Sequence, residues 1–136
     1  MPEQAVCLVL WAHPEPVSLV AAIAQRVSES LRAAGNEVHD VDLYRYPIDP
    51  TLSGEELRRH ISLDPAVQEH SRLLSTAELL VIVHPNWWGG PPAILKGWLD
   101  RVLRPGFAYE YEGLSPQTMQ RYGLLDGKRG LVIVPG

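Results

Sequence analysis

Residues 5–11, Ala-Val-Cys-Leu-Val-Leu-Trp, are apolar without interruption, the pattern of a parallel strand buried on both faces. This is the first of four apolar or alternating runs, and helical patterns separate each from the next. No repeat, linker or low-complexity stretch intervenes. That alternation is the grammar of βαβ units, whose right-handed crossovers return each strand parallel to the last. The chain is therefore constrained to an α/β fold with a doubly wound parallel sheet.

A helix is expected from about Ser18, with Leu19, Ile23, Val27 and Leu31 recurring every four residues and Gly35-Asn36 ending it. Residues 37–43 are more polar, apolar at Val38, Val41 and Leu43, which suits an edge strand. Residues 44–63 read as irregular. Asp64-Pro65 is an N-cap and N1 pair opening a helix through Ser75 that carries Val67, Leu73 and Leu74. Residues 78–84 form the third strand, and a helix over 92–103 follows with Ile94, Leu95, Trp98, Leu99 and Val102 on one wide apolar face. Pro105-Gly106 breaks that helix. Residues 130–134 read as a fourth, buried strand. Strand order 2-1-3-4 puts the switch point, where such sheets bind ligands, between strands one and three.

The 136 residues fit one domain, 1–136, and a hydrophobic content of 46% supplies a core. A formal net charge of −4 removes the attraction that nucleic acid or an anionic membrane surface would exploit, so no nucleic-acid partner is expected. The one cysteine, Cys7, can form no internal disulfide and reads as a buried thiol, which suits a reducing cytoplasm. No segment approaches the roughly 20 apolar residues of a membrane span, and no basic leader precedes the first run.

The loops leaving strands one and three should meet. After strand one comes His13-Pro14-Glu15-Pro16-Val17-Ser18. Ser18 at a helix N-terminus suits an anionic group such as a phosphate, and equally reads as a plain N-cap. His13, at the end of a buried strand, could donate to that group or be a satisfied structural histidine. After strand three come Pro85, Asn86, Trp87, Trp88, Gly89 and Gly90, within a stretch (84–112) that holds three of the four tryptophans. Two indoles between prolines and glycines sit in a loop, where a stacking role is the sharper reading. The glycines leave room for close approach of a flat heteroaromatic ring. Trp98, on the helix stripe, reads as core, and His84 as packing. A phosphate-binding Gly-x-x-x-x-Gly-Lys-Ser/Thr, a Gly-x-Gly-x-x-Gly after strand one, a His-Glu-x-x-His and a Gly-x-Ser-x-Gly are all missing from the sequence, so the corresponding hydrolase, dinucleotide and metal sites lose support.

Three groups of residues carry a resemblance: His13-Pro14-Glu15-Pro16 with Ser18, Asp42-Leu43-Tyr44, and above all 85–111. Within the last, Pro-Ala-Ile-Leu-Lys-Gly-Trp (92–98), Asp100-Arg101-Val102 and Gly106-Phe107-Ala108-Tyr109 are the most specific. On these the chain resembles the flavodoxin-like NAD(P)H quinone oxidoreductases, the family of DT-diaphorase, bacterial quinone reductases and the ancillary flavoproteins of potassium-efflux systems. The resemblance implies a flavodoxin-like fold and a flavin, FAD or FMN. It also implies two-electron ping-pong transfer of hydride from NAD(P)H as co-substrate to a quinone or other small acceptor. It assigns His13, Ser18 and Leu19 to the phosphate side of the flavin and Pro85, Asn86, Trp87 and Trp88 to its ring, and Gly89 joins the cofactor-binding residues through the open backbone read above. Tyr109 and Tyr111 match aromatics that contact substrate over a flavin held mainly by a partner subunit, which implies a homodimer. No catalytic residue is assigned.

Val20 stands where such members carry a polar residue, and Gly89 replaces a bulkier aromatic. The family's Thr-Thr-Gly-Gly-like loop after strand four, with a tyrosine and histidine beyond it, is matched only by Pro135 and Gly136. The family's last strand and helix are therefore expected to be missing and the domain to be C-terminally incomplete. A non-catalytic regulatory or interaction subunit with weak or no flavin binding is the alternative, and a flavodoxin-type one-electron carrier is a weaker third reading.

Overall fold

In the first strand, β1 (Val6–Trp11), four consecutive side chains from Cys7 to Leu10 are buried, so both faces of the strand are covered. The computed structural model describes residues 3–113 and 115–136, and at 121 and 122 the backbone alone. The element order is β1, α1 (Leu19–Ala33), β2 (Glu37–Asp42), α2 (Gly54–Arg59), α3 (Pro65–Thr76), β3 (Leu79–Val83), α4 (Ala93–Val102), β4 (Tyr109–Glu112), β5 (Gln120–Gly123) and β6 (Arg129–Ile133). Strands β2-β1-β3-β6 form one parallel sheet in that order, which is the expected order with β6 as its fourth strand. Among the described residues the expected edge strand, β2, pairs with β1 alone.

Alternation along the strands divides the core in two. Leu8, Leu10 and Ile82 pack under α3 and α4 with Val67, Leu74, Leu95, Trp98 and Val102. Val9, Val81 and Val83 face the opposite way, against α1. Helices on both faces of a parallel sheet make the fold doubly wound. Cys7 is buried as expected, and burial, followed by the nearby Glu78 carboxylate, pushes its thiol pKa up despite the opposing charge of Arg129.

The deepest row of α1 is Val20, Ala24 and Ser28, one residue further along than the expected stripe. Ile23, Val27 and Leu31 flank that row, while Leu19 is 63% exposed. Small residues at 24 and 28 allow the helix backbone to lie close on the sheet, and the longer side chains splay to either side. Gly35, at φ +92°, ends the helix by sending its N–H to the Arg32 carbonyl, while Asn36 N–H bonds that of Leu31. This pair of reversed bonds is the Schellman arrangement, and the positive φ is why glycine stands there.

Three other features depart from the sequence reading. The 44–63 segment contains α2, whose N-cap Ser53 accepts from Glu56 N–H at 3.0 Å. Tyr109–Glu112 and Gln120–Gly123 form a separate antiparallel ribbon, unforeseen because their polar, aromatic sequences lack an apolar alternation. Strand β6 occupies its expected place but is not buried: among the described residues it pairs only with β3, and Leu131 and Val132 are 50% and 57% exposed.

Candidate functional site

The crevice at the switch point follows from register. Trp11 lies opposite Val83, and the pairing continues one step through Ala12 N–H to the Val83 carbonyl at 3.1 Å. The loops after β1 and β3 thus leave the sheet at one level, and His84 N–H to the Ile133 carbonyl at 3.2 Å brings the end of β6 to the same level. The rings of His13 and Trp87 lie 6.1 Å apart, tilted by 60°, so the two loops do meet.

On the first loop, the His13 Nδ1 accepts from Glu15 N–H at 3.0 Å. The same Nδ1 lies 3.3 Å from the Glu15 carbonyl oxygen, and the shorter of the two contacts, the N–H bond, favours a neutral ring with its proton on Nε2, which is left as a donor. Ser18, in extended conformation, caps α1 by accepting from Ala21 N–H at 3.1 Å, and Ala22 N–H takes up the Ser18 carbonyl at 2.9 Å. Those two bonds leave the N–H groups of Leu19 and Val20 ahead of the helix's own ladder, and no acidic side chain in the first turn competes for them. The exposed Leu19 side chain stands at the rim with Val17, while Val20 is buried.

On the second loop, Trp87 N–H bonds the Gly90 carbonyl at 2.9 Å, and Gly90 N–H returns to Trp87 at 3.1 Å. Trp88 and Gly89 between them have φ of +56° and +78°, the signs that a type I′ turn requires at both central positions. Gly89 meets that demand without strain, and a β-carbon there would touch nothing within 4 Å. Trp88 does not: a bulky residue in the left-handed region is an outlier, and its indole is 106% exposed. The turn therefore raises a strained, unpacked aromatic face beside the His13–Trp87 contact. Asn86 is exposed beside it and Pro85 half-buried. His84 is half-buried, with its Nδ1 2.8 Å from the Pro85 carbonyl oxygen, a local role in keeping with packing.

Tyr109 and Tyr111 stand apart from this cluster. Their rings pack edge to face at 5.7 Å on the β4–β5 ribbon. Tyr109 lines a groove of about 230 Å³ with Leu57, His60, Leu99 and Pro105, on the side of α2 and α4. Trp98 is fully buried, as its place on the helix stripe predicts.

Sequence reasoning missed Arg45. Its guanidinium donates to the carbonyls of His13 (2.8 Å) and Pro14 (2.7 Å) and to the Asp42 carboxylate (2.6 Å). The available signal was an aspartate at the end of β2 followed three residues later by arginine, a spacing suited to a turn closed by the carboxylate.

Chemically, the crevice offers N–H donors, one imidazole and aromatic faces. Among the described residues no group of three or more His, Cys, Asp or Glu could hold a metal ion. Such a set is suited to a flat group with an anionic tail, and any redox chemistry would belong to that group.

An α/β protein with its crevice at the β1/β3 switch point is the class that this architecture defines. A family model described as having a flavodoxin-like fold matches residues 6–135, and the chain belongs to that flavodoxin-like family, which agrees with the resemblance read from its motifs. A Haemophilus influenzae protein named as an uncharacterized NAD(P)H oxidoreductase is 45% identical over 126 residues, 90% of this chain and 59% of that one. The rat NAD(P)H dehydrogenase [quinone] 1 is 31% identical over 150 residues, covering 93% and 52%. Among solved structures, an NAD(P)H:quinone oxidoreductase from Methanothermobacter marburgensis superimposes with a TM-score of 0.84 at 31% identity, covering 97% of this chain and 66% of that one. The chain thus spans between half and two thirds of the length of these relatives. Among the described residues, no helix is long and apolar enough to cross a membrane.

Proposed function

We propose that this chain holds a flavin, as FAD or FMN, and serves an NAD(P)H:quinone, or related acceptor, oxidoreductase. The observation that carries the reading is the meeting of the His13 loop with the Trp87–Gly90 turn at the switch point. The residues fit the group: the Leu19 and Val20 amides and the positive end of α1 suit a phosphate, and His13 Nε2–H is a further donor. Pro85, Asn86, Trp87 and Trp88 suit the ring system, with open space at Gly89 for close approach. The names of the relatives, NAD(P)H oxidoreductase and NAD(P)H dehydrogenase [quinone], favour the same activity.

A flavin held by the α1 terminus, His13 and the Trp87–Gly90 turn would supply two-electron, ping-pong hydride chemistry between NAD(P)H and the acceptor. This chain's part is to bind and orient. The α1 terminus holds the anionic tail, His13 donates from Nε2, and the Trp87–Gly90 turn covers the ring and excludes water from one face. Tyr109 and Tyr111, away from this crevice in the single chain, would contact substrate over the flavin of a second subunit, so the working form proposed is a homodimer. The buried lone cysteine and net negative charge favour a cytoplasmic protein without a nucleic-acid partner.

A visible absorption spectrum taken after adding FMN or FAD and desalting tests the reading. Retained flavin bands that bleach with NAD(P)H are the expected result. A colourless protein that takes up neither flavin would overturn it and leave the non-catalytic interaction subunit.

A further inference from the structure

The β1–α1 loop has few attachments of its own. Pro14, Glu15, Pro16 and Val17 are exposed, and Pro14 and Pro16 have no N–H to give. What fastens the loop is a side chain from beyond β2. The Arg45 Nη1 and Nη2 reach two successive carbonyls, those of Pro14 and His13, at 2.7 and 2.8 Å, and Nε reaches Asp42 Oδ2 at 2.6 Å. The fork is itself fixed. Asp42 Oδ1 accepts the N–H groups of Tyr44 (3.0 Å) and Arg45 (3.2 Å), which sets the carboxylate in a closed turn. The guanidinium lies 5.4 Å from the centroid of the Trp11 ring and 5.9 Å from that of Tyr44, and Trp11 is anchored by its Nε1–H to Asp40 at 2.9 Å. A planar cation that bonds three acceptors between two rings has one orientation, which lysine cannot reproduce.

We infer that Arg45 is a positioning residue of the crevice: by pinning the His13 and Pro14 carbonyls it holds the loop in the shape that presents His13 Nε2 and the α1 N-terminus to a ligand. Its effect on flavin rests on the flavin reading above, whereas its hold on the loop does not. Arg45 touches the loop backbone, so it acts through His13 and the α1 terminus.

Hydrogen exchange followed by mass spectrometry, combined with flavin titration by fluorescence quenching, tests this on the wild-type chain, Arg45→Ala, Arg45→Lys and, as control, Arg72→Ala. Arg72 pairs with Glu69 on the exposed face of α3. In Arg45→Ala, exchange in peptides covering 12–18 should quicken and the flavin Kd should rise, each by about tenfold, the scale of one charge-assisted hydrogen bond. Peptides from β1 and β3 should keep their wild-type rates, which a general loss of stability would not allow. Arg45→Lys should recover part of both effects and Arg72→Ala should show neither. Unchanged loop exchange in Arg45→Ala overturns the hold on the loop whatever the flavin result. A loosened loop with unchanged flavin Kd overturns the positioning role. A wild-type chain that binds no flavin overturns the flavin reading, and with it the effect on affinity, leaving the exchange rates to decide whether Arg45 fastens the loop.

Discussion

The indole Nε1–H of Trp98 donates to Nδ1 of His70 across 2.8 Å, joining α4 to α3 inside the core. That bond needs a neutral imidazole with its proton on Nε2. Burial pushes the His70 pKa below its usual 6.5, against the raising influence of the Glu69 and Asp64 carboxylates. The unfolded chain therefore takes up a proton that the folded chain refuses. Stability should be complete above the unfolded value of 6.5 and should fall as pH drops from there toward the folded value. Thermal melting at a series of pH values checks this. His70→Gln, which retains an acceptor but does not titrate, should melt lower at neutral pH yet lose the slope that the wild-type chain shows below pH 6.5.

Arg101, only 5% exposed, donates to both oxygens of Glu56 (2.9 and 3.1 Å), to Asp64 at 3.1 Å and to the Asp49 carbonyl at 2.8 Å. It ties α2, the N-cap of α3 and the 44–53 segment to α4. Arg101→Met should cost about 3 kcal/mol in chemical denaturation, because it strands carboxylates that the guanidinium compensates. Glu56 is held below its usual pKa chiefly by its hydrogen bond from Arg101, and Asp64 chiefly by the Ala66 N–H, with Arg101 adding to it. This contribution is present above the ordinary carboxylate values of 4.5 and 3.8 and disappears at lower pH, separately from the histidine effect. A wild-type profile of melting temperature against pH with two acid phases, the lower one reduced in Arg101→Met to the part that the Ala66 N–H gives Asp64, is the expected result.

Gly97 lies where α4 crosses Pro50, and a β-carbon there would come within 2.3 Å of the Pro50 Cα. Alanine would raise helix propensity by roughly 1 kcal/mol, but overpacking against rigid backbone costs about 1 to 3 kcal/mol and dominates. Gly97→Ala should thus lower the denaturant midpoint. A midpoint equal to or above wild type would show that the 44–53 segment can shift away at little cost.

Trp88 should separate stability from binding. Trp88→Gly removes an exposed side chain and relieves the left-handed strain at φ +56°, so stability should be unchanged or rise by up to about 1 kcal/mol. The same change should weaken flavin binding by roughly 1 to 3 kcal/mol through lost burial and stacking. Melting and fluorescence titration on one sample check both, and unchanged affinity would remove Trp88 from the site.

The sheet was legible because β1 and β3 are apolar at every step, which only a doubly covered strand tolerates, and because Ser18, Asp64 and Gly35 carry their cap chemistry openly. The crevice was legible from the same signals, since loop positions follow once strand order is set. Elements whose reasons lie elsewhere in the chain were harder to read. The short α2 has no apolar face and is held by Arg101, 45 residues beyond Glu56. The depth of Ala24 and Ser28 in α1 reflects how close a helix can sit on a sheet, which a hydrophobicity pattern does not encode. Arg45 looks like any surface arginine until β2 brings it beside the β1 loop.

The Trp87–Gly90 turn is closed by two hydrogen bonds that it makes with itself. Its tip is therefore modular: Trp88 and Gly89 can be exchanged for another pair that accepts positive φ while the strands and α4 stay as they are. A lineage with this frame could change what it admits to the crevice by altering two residues, without disturbing the scaffold beneath.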